Sequence, residues 1–366
     1  MFSKDKFGKI LVPVVTPFGD DQEVDLGRLA ALVDYLITEN KADTLIFTGT
    51  TGEFFTMTSD ERAAVYQAGV AANAGRLPMI AGVGCASTPE TIELGRRALA
   101  AGIGTLMVVS PYYTKPSQDE LRAHFEAVSK ALPEADILLY NIPIFTGVNL
   151  EAETVSELAQ LPNVVGIKDE AELNPKQITR YLAVTPDDFI IYNGDDTYIL
   201  ETYVQGGADR IGGVISGASH VYGDYIRTMI ETFLAGDVAT AAKQQQALYP
   251  VLRIMGQNGR INPAPLWKSA LKLRGIDAGV PRLPLTPGTP GARGHGELRR
   301  DRSAAGAEGL SHVGHPGTRC PLPGPDRPGS DIVRRGRRAR SRPLLGRGGL
   351  PAGLRDHRHQ SRWQHR

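Results

Sequence analysis

Eight short apolar runs recur between residues 10 and 215, beginning near Ile10, Thr44, Met79, Thr105, Asp136, Val164, Phe189 and Arg210. Runs such as Thr44-Leu45-Ile46-Phe47 and Ile137-Leu138-Leu139 are continuously apolar, so each strand is expected to be covered on both faces. Between them lie amphipathic segments of helical period, Leu26–Glu39 and Pro89–Ala101 among them. Thr58-Ser59-Asp60-Glu61 has the form of a capping box ahead of the helix that carries Val65 and Val70. Strands alternating with helices of this length pair in parallel, and eight such units close into an α/β fold of the (β/α)8 TIM-barrel type. The barrel core is expected over residues 1–216, with its eighth helix and a C-terminal helical extension over 217–287. An open doubly wound sheet is the alternative, but no G-x-G-x-x-G follows the first strand, and Gly82-Val83-Gly84 is only a fragment of one.

In such a barrel the chemistry sits at the C-terminal ends of the strands. Those ends carry Gly49-Thr50-Thr51-Gly52-Glu53, Ser110-Pro111-Tyr112-Tyr113, Tyr140-Asn141-Ile142-Pro143, Gly194-Asp195-Asp196 and Val214-Ile215-Ser216-Gly217. Glycines there let backbone N–H groups approach a carboxylate, and threonine hydroxyls add donors. The sixth run, Val164-Val165-Gly166-Ile167, ends in Lys168. Burial is expected to lower the pKa of that amine from about 10.4, leaving free amine to attack a ketone and form a Schiff base. The competing reading is a strand-end lysine that reaches solvent or pairs with Asp169, Glu170 or Glu172.

The formal net charge of +1 conceals two regions. Residues 288–366 hold 17 Arg, no Lys and 6 Asp+Glu, whereas residues 1–287 carry −10. The basic segment has no Tyr, Phe, Met or Asn and is rich in Gly and Pro, so it is expected to be a disordered tail. Its all-Arg usage is what a GC-rich gene yields in a shifted reading frame; a genuine tail and a nucleic-acid arm are the alternatives, and no nucleic-acid partner is expected. Cys85 and Cys320 are too few for a disulfide framework or a zinc site, and no metal is expected. His124 and His220 read as surface or capping residues. No apolar stretch approaches the roughly 18 residues needed to span a bilayer. The first six residues lack an apolar signal core, so the expectation is a cytoplasmic protein.

The segments GTTGE, PYY, YNIP, GIKD and NPAP (Asn262-Pro263-Ala264-Pro265), in this order and spacing, resemble the dihydrodipicolinate synthase and N-acetylneuraminate lyase family of pyruvate-dependent class I aldolases, over about residues 7–287. The resemblance implies that Lys168 forms an imine with pyruvate or another 2-oxo acid, to be joined to or released from a small aldehyde, with no cofactor. It implies a proton relay of Thr50, Tyr113 and Tyr140, with Tyr113 reaching into a neighbouring subunit's site. Thr51 and the Thr50 and Thr51 amides would hold the 2-oxo acid carboxylate, and the Ile215 carbonyl would line the pocket. At least a dimer is implied, commonly a homotetramer built as a dimer of dimers. The lesser alternative for Tyr112 and Tyr113 is that they are interface or core aromatics.

Two departures matter. Synthases that condense pyruvate with aspartate semialdehyde carry a Ser-Arg-Thr-Gly run whose Arg grips the second carboxylate; this chain has Ile144-Phe145-Thr146-Gly147. Phe145 offers neither charge nor donor, so the expected function is an aldolase or lyase acting on a 2-oxo-3-deoxy sugar acid or similar small oxo acid. Gly194, Asp195, Asp196, Thr197 and Ser216 would meet its hydroxyls, although aspartates at strand ends also cap helices. The alternatives are 4-hydroxy-tetrahydrodipicolinate synthase, a deoxy sugar acid dehydratase, and a non-catalytic 2-oxo-acid-binding relic. The second departure is the basic segment, which replaces the short final helix that the resemblance implies after residues 284–287.

Overall fold

The computed structural model describes residues 4–171, 176–255 and 262–288. Its eight strands are β1 (Ile10–Pro13), β2 (Thr44–Phe47), β3 (Met79–Gly82), β4 (Thr105–Val109), β5 (Asp136–Asn141), β6 (Val164–Asp169), β7 (Ile190–Asn193) and β8 (Ile211–Ile215). The helices between and after them are α1 (Lys4–Phe7), α2 (Leu26–Thr38), α3 (Ser59–Asn73), α4 (Thr88–Ala100), α5 (Gln118–Ala131), α6 (Pro143–Thr146) and α7 (Ala152–Leu158). They continue with α8 (Gln177–Val184), α9 (Ile199–Arg210), α10 (Ser219–Leu234), α11 (Val238–Met255) and α12 (Ala264–Leu273). Each strand pairs in parallel with the next, and Leu11↔Ile215 closes β1 onto β8 in an eight-stranded barrel.

Six of the eight strands begin where the apolar runs do. The other two begin one residue later, for local reasons. Phe189 turns its N–H back onto Pro186 O, and Arg210 is the last residue of α9. The capping box holds: the Thr58 hydroxyl accepts from the Glu61 N–H while the Glu61 carboxylate accepts from the Thr58 N–H.

Alternation along each strand divides the core in two. Leu11, Ile46, Leu138 and Tyr140 pack inside the barrel, while Val12, Leu45, Ile137 and Leu139 pack under the helices. The same period sends Lys168 inward, in register with the interior residues Tyr140 and Tyr192, and turns Ile167 and Asp169 outward. Helices α11 and α12 carry the chain back across the barrel mouth, so that Leu252, Pro263 and Trp267 reach the cavity there.

Among the described residues, no helix is long and apolar enough to cross a membrane, and no group of three or more His, Cys, Asp or Glu is placed to hold a metal ion. The two histidines, expected as surface or capping residues, are not at the surface: both are buried. His220 Nε2 accepts the Val15 N–H at 3.1 Å and its Nδ1 faces Gly217 O at 2.8 Å, so one ring joins the β1 exit to the start of α10. His124 packs on α5 against Thr88, with 2.9 Å between Nδ1 and the hydroxyl. Residues 289–366, Cys320 included, lie outside the described residues, as does Glu172.

Candidate active site

A cavity of about 170 Å³ opens at the C-terminal end of the barrel, with Lys168 at its wall. Tyr140 and Lys168 project from adjacent registered positions of β5 and β6, and the Lys168 Nζ lies 4.0 Å from the Tyr140 ring centroid. Just outside, Asn141 points the opposite way and donates from Nδ2 to Asp169 Oδ1 at 2.9 Å. That bond clamps β5 to β6 one residue beyond the reactive pair, which fixes the direction of both inward side chains. Thr50 comes from the loop after β2, its Oγ1 3.4 Å from the Tyr140 hydroxyl.

The closest partner of the amine is Glu170, whose Oε2 lies 3.1 Å from Lys168 Nζ. The same oxygen accepts the Tyr140 O–H at 3.0 Å. Gly194, opposite on the loop after β7, makes room for this cluster. A Cβ there would stand 2.7 Å from Lys168 Cε and 2.9 Å from Glu170 Cβ, closer than side chains tolerate.

These contacts reverse the expected electrostatics of the amine. Burial does depress Lys168, but the Glu170 carboxylate and Tyr140 outweigh it and hold the ammonium above the ordinary lysine value. Burial, then the Glu170 charge, pushes the Tyr140 phenol up, so it stands as a proton donor. Burial also raises Glu170, against the pull of Lys168. The site is thus a compact ammonium, carboxylate and phenol cluster.

Thr51, Ile215, Phe145, Gly194, Asp195 and Asp196 all line this cavity, as does Thr50. Phe145 projects from α6 and is 39% exposed, facing a second, apolar recess of about 310 Å³ between Phe54, Phe55 and Tyr112. Asp195 organises its own loop, its Oδ1 accepting the Thr197 N–H and hydroxyl at 2.7 Å each. Asp196 accepts the Ala218 N–H through Oδ2, while its buried Oδ1 has no hydrogen-bond partner among the described residues. Burial pushes the Asp196 carboxyl up to about 7.

Two of the sequence candidates stand apart. Ser216 is fully buried and does not itself line the cavity: its hydroxyl accepts the Ser219 N–H at 3.0 Å at the start of α10 and lies beside the Asp196 carboxyl. Tyr113 is 92% exposed and sits at φ +74°, a left-handed backbone that a tyrosine adopts only under constraint. Glu170 is the site residue that the sequence reading entertained only as an ion-pair partner; its signal was the i, i+2 spacing from Lys168, which puts both on one face of a strand.

A family profile described as "Dihydrodipicolinate synthetase family" matches residues 6–295. The chain belongs to the dihydrodipicolinate synthetase family. The 4-hydroxy-tetrahydrodipicolinate synthase of Bacillus subtilis strain 168 is 41% identical to it over 288 residues, 78% of this chain and 96% of that protein. The crystal structure of a dihydrodipicolinate synthase from Bacillus anthracis superposes with a TM-score of 0.76 at 36% identity, covering 83% of this chain and 99% of that one. The lysine-bound enzyme of this family from Cyanidioschyzon merolae gives 0.76 at 38% identity, covering 82% and 98%. This family member is accordingly an enzyme, a pyruvate-dependent aldolase/lyase of the Schiff-base class.

Proposed function

We propose that Lys168 forms the imine with pyruvate and that the enzyme makes or breaks a carbon–carbon bond between that pyruvate unit and a small aldehyde. One observation carries the reading: a buried lysine amine at the end of β6, touching a phenol on β5 that in turn meets the Thr50 hydroxyl. In the proposed site Thr50 and Thr51 hold the pyruvate carboxylate, Ile215 packs against the bound acid, and the protonated imine draws electrons from C3. Tyr140 and Thr50 relay protons between the site and solvent, and the protein is a cytoplasmic catalyst that needs no cofactor.

For the aldehyde, the named relatives support 4-hydroxy-tetrahydrodipicolinate synthase, with aspartate semialdehyde as acceptor. A specific observation favours a second reading. Phe145 puts an aromatic ring on the cavity wall where the synthase pattern has a cation, and the Asp195 and Asp196 carboxyls share that wall. That wall suits a neutral, hydroxylated aldehyde of the kind released from a 2-oxo-3-deoxy sugar acid. Turnover of pyruvate with aspartate semialdehyde, set against a panel of hydroxylated aldehydes, decides between them. Preference for the semialdehyde by tenfold or more in kcat/KM supports the synthase, and the opposite preference supports the sugar-acid aldolase. Turnover with no aldehyde at all contradicts the proposed reaction.

The same reading proposes a homotetramer built of dimers in which Tyr113 enters a second copy's site. Supporting it are the 92% exposure of Tyr113 and the open apolar recess beside Phe145. Light scattering on the wild type and on Tyr113→Ala tests it; a monomeric wild type contradicts it.

A further inference from the structure

Glu170 has more to do than neutralise a lysine. Its Oε2 touches the nitrogen that must lose a proton to become a nucleophile. The same oxygen receives the Tyr140 O–H, so of the two groups that touch Nζ the phenol is already acting as donor and the carboxylate as acceptor. A base must accept. Gly194 leaves the room into which Glu170 packs, and the Glu170 side chain is 19% exposed, which leaves it a route for proton exchange with water.

We infer that Glu170 is a catalytic acid–base residue of this enzyme, carrying protons from Lys168 to the departing water during imine formation and from pyruvate C3 during enamine formation. The inference rests on the imine reading above. Glu170 carboxylate takes a proton from the Lys168 ammonium, and the free amine adds to the pyruvate ketone carbon. A proton passes from nitrogen to the new alkoxide, giving the neutral carbinolamine. Glu170, now a carboxylic acid, protonates the carbinolamine hydroxyl; the C–O bond breaks, water leaves, and the nitrogen lone pair forms the C=N bond. The sum is ammonium plus ketone giving protonated imine plus water, with Glu170 returned to carboxylate. It then removes a proton from C3, which is bonded to the imine carbon and so lies within reach of a group already touching Nζ. The C–H electron pair becomes the enamine double bond, and the protonated imine becomes a neutral amine.

Burial raises Glu170 above the ordinary carboxylate range. The groups facing it are Lys168 on β6, Tyr140 on β5 and Asp195 beyond β7, with Asp169 and Asp196 nearby. As a base Glu170 must be ionised, so the rate should fall as pH drops through its raised pKa.

The test needs no knowledge of the aldehyde. Exchange of pyruvate C3 protons for deuterium, followed by NMR in D2O across a pH series, reads the proton transfer directly. Glu170→Gln is expected to slow exchange by about 100-fold or more and to abolish the acid limb of the wild-type profile. Glu170→Asp is expected to keep that limb at an intermediate rate. Exchange by Glu170→Gln within about threefold of wild type, or with the same acid limb, overturns the inference. Should Glu170→Gln fail to fold by circular dichroism, Glu170→Asp decides, since loss of its acid limb is equally contrary. Borohydride trapping of wild type with pyruvate separates the two claims. No adduct defeats the imine reading, whereas an adduct alongside unimpaired exchange in Glu170→Gln defeats only the role of Glu170.

Discussion

Lys168 Nζ and Glu170 Oε2 stand 3.1 Å apart on the same face of one strand end. The pair sets the resting state of the site, because the amine is stored as an ammonium until substrate and a proton acceptor release it. Imine formation should therefore slow as pH drops through the raised Glu170 pKa, because a protonated Glu170 can no longer take the proton from the ammonium.

Replacing Tyr140 by Phe removes the O–H that donates to Glu170 and meets Thr50, while the ring under the Lys168 ammonium stays. Turnover is expected to fall by about 100-fold or more. Trapping of pyruvate should survive, since nitrogen and cavity are intact. Steady-state rates and borohydride labelling on the same preparation check both halves.

Gly194→Ala places a methyl group against Lys168 Cε and Glu170 Cβ. The chain should still fold, because the clash is with two side chains at the cavity, at Lys168 Cε and at Glu170 Cβ and Oε2, rather than with backbone. A displacement of this size costs catalysis about 100-fold. A near-normal melting temperature with near-normal trapping would show that the site yields more than the geometry allows.

Glu53 and Lys268 form a second buried pair, 2.5 Å apart, joining the loop that carries Thr50 and Thr51 to α12. The Arg282 N–H adds a bond to the other Glu53 oxygen at 2.9 Å. Lys268→Ala leaves a carboxylate buried without its partner, which is expected to cost about 3–5 kcal/mol. Urea unfolding measures it; a loss under about 1 kcal/mol would contradict the assigned role.

Burial lowers His220 to about 4, so it is neutral in the folded protein at neutral pH. The unfolded imidazole titrates near 6.5, so between about pH 6.5 and 4 the unfolded state binds the extra proton and stability falls as pH falls. The loss from this residue approaches roughly 3 kcal/mol at the low end. His124 shifts in the same direction, also to about 4. Denaturation of wild type and His220→Gln from pH 7 to 4 should show a shallower decline in the variant; identical slopes would rule His220 out as a source.

Much of this was legible from residues alone because barrel geometry is periodic. Continuous apolar runs and a capping box located the strands and α3, and the strand-end rule collected Thr50, Tyr140, Lys168 and Gly194 at one mouth. What escaped depends on which way a side chain turns in three dimensions. Asp169, Glu170 and Glu172 are all acidic neighbours of Lys168; the two-residue strand period separates Glu170 from Asp169, but only the fold shows that the chain keeps this period past β6, turning Asp169 outward to Asn141 and leaving Glu170 beside the amine. That choice also reversed the expected direction of the Lys168 pKa. Ser216 turned to the Ser219 N–H at the start of α10, and His220 was buried by the return of α10 over the β1 exit, its contact with Val15 spanning 205 residues, which no local pattern reports.

The central claim is that Lys168 is the imine-forming residue. Incubation with pyruvate and borohydride, then peptide mass mapping, tests it most directly. The account predicts one reduced pyruvate adduct, on the peptide containing Lys168, absent from Lys168→Ala. No adduct, or an adduct on another lysine that persists in Lys168→Ala, would contradict it.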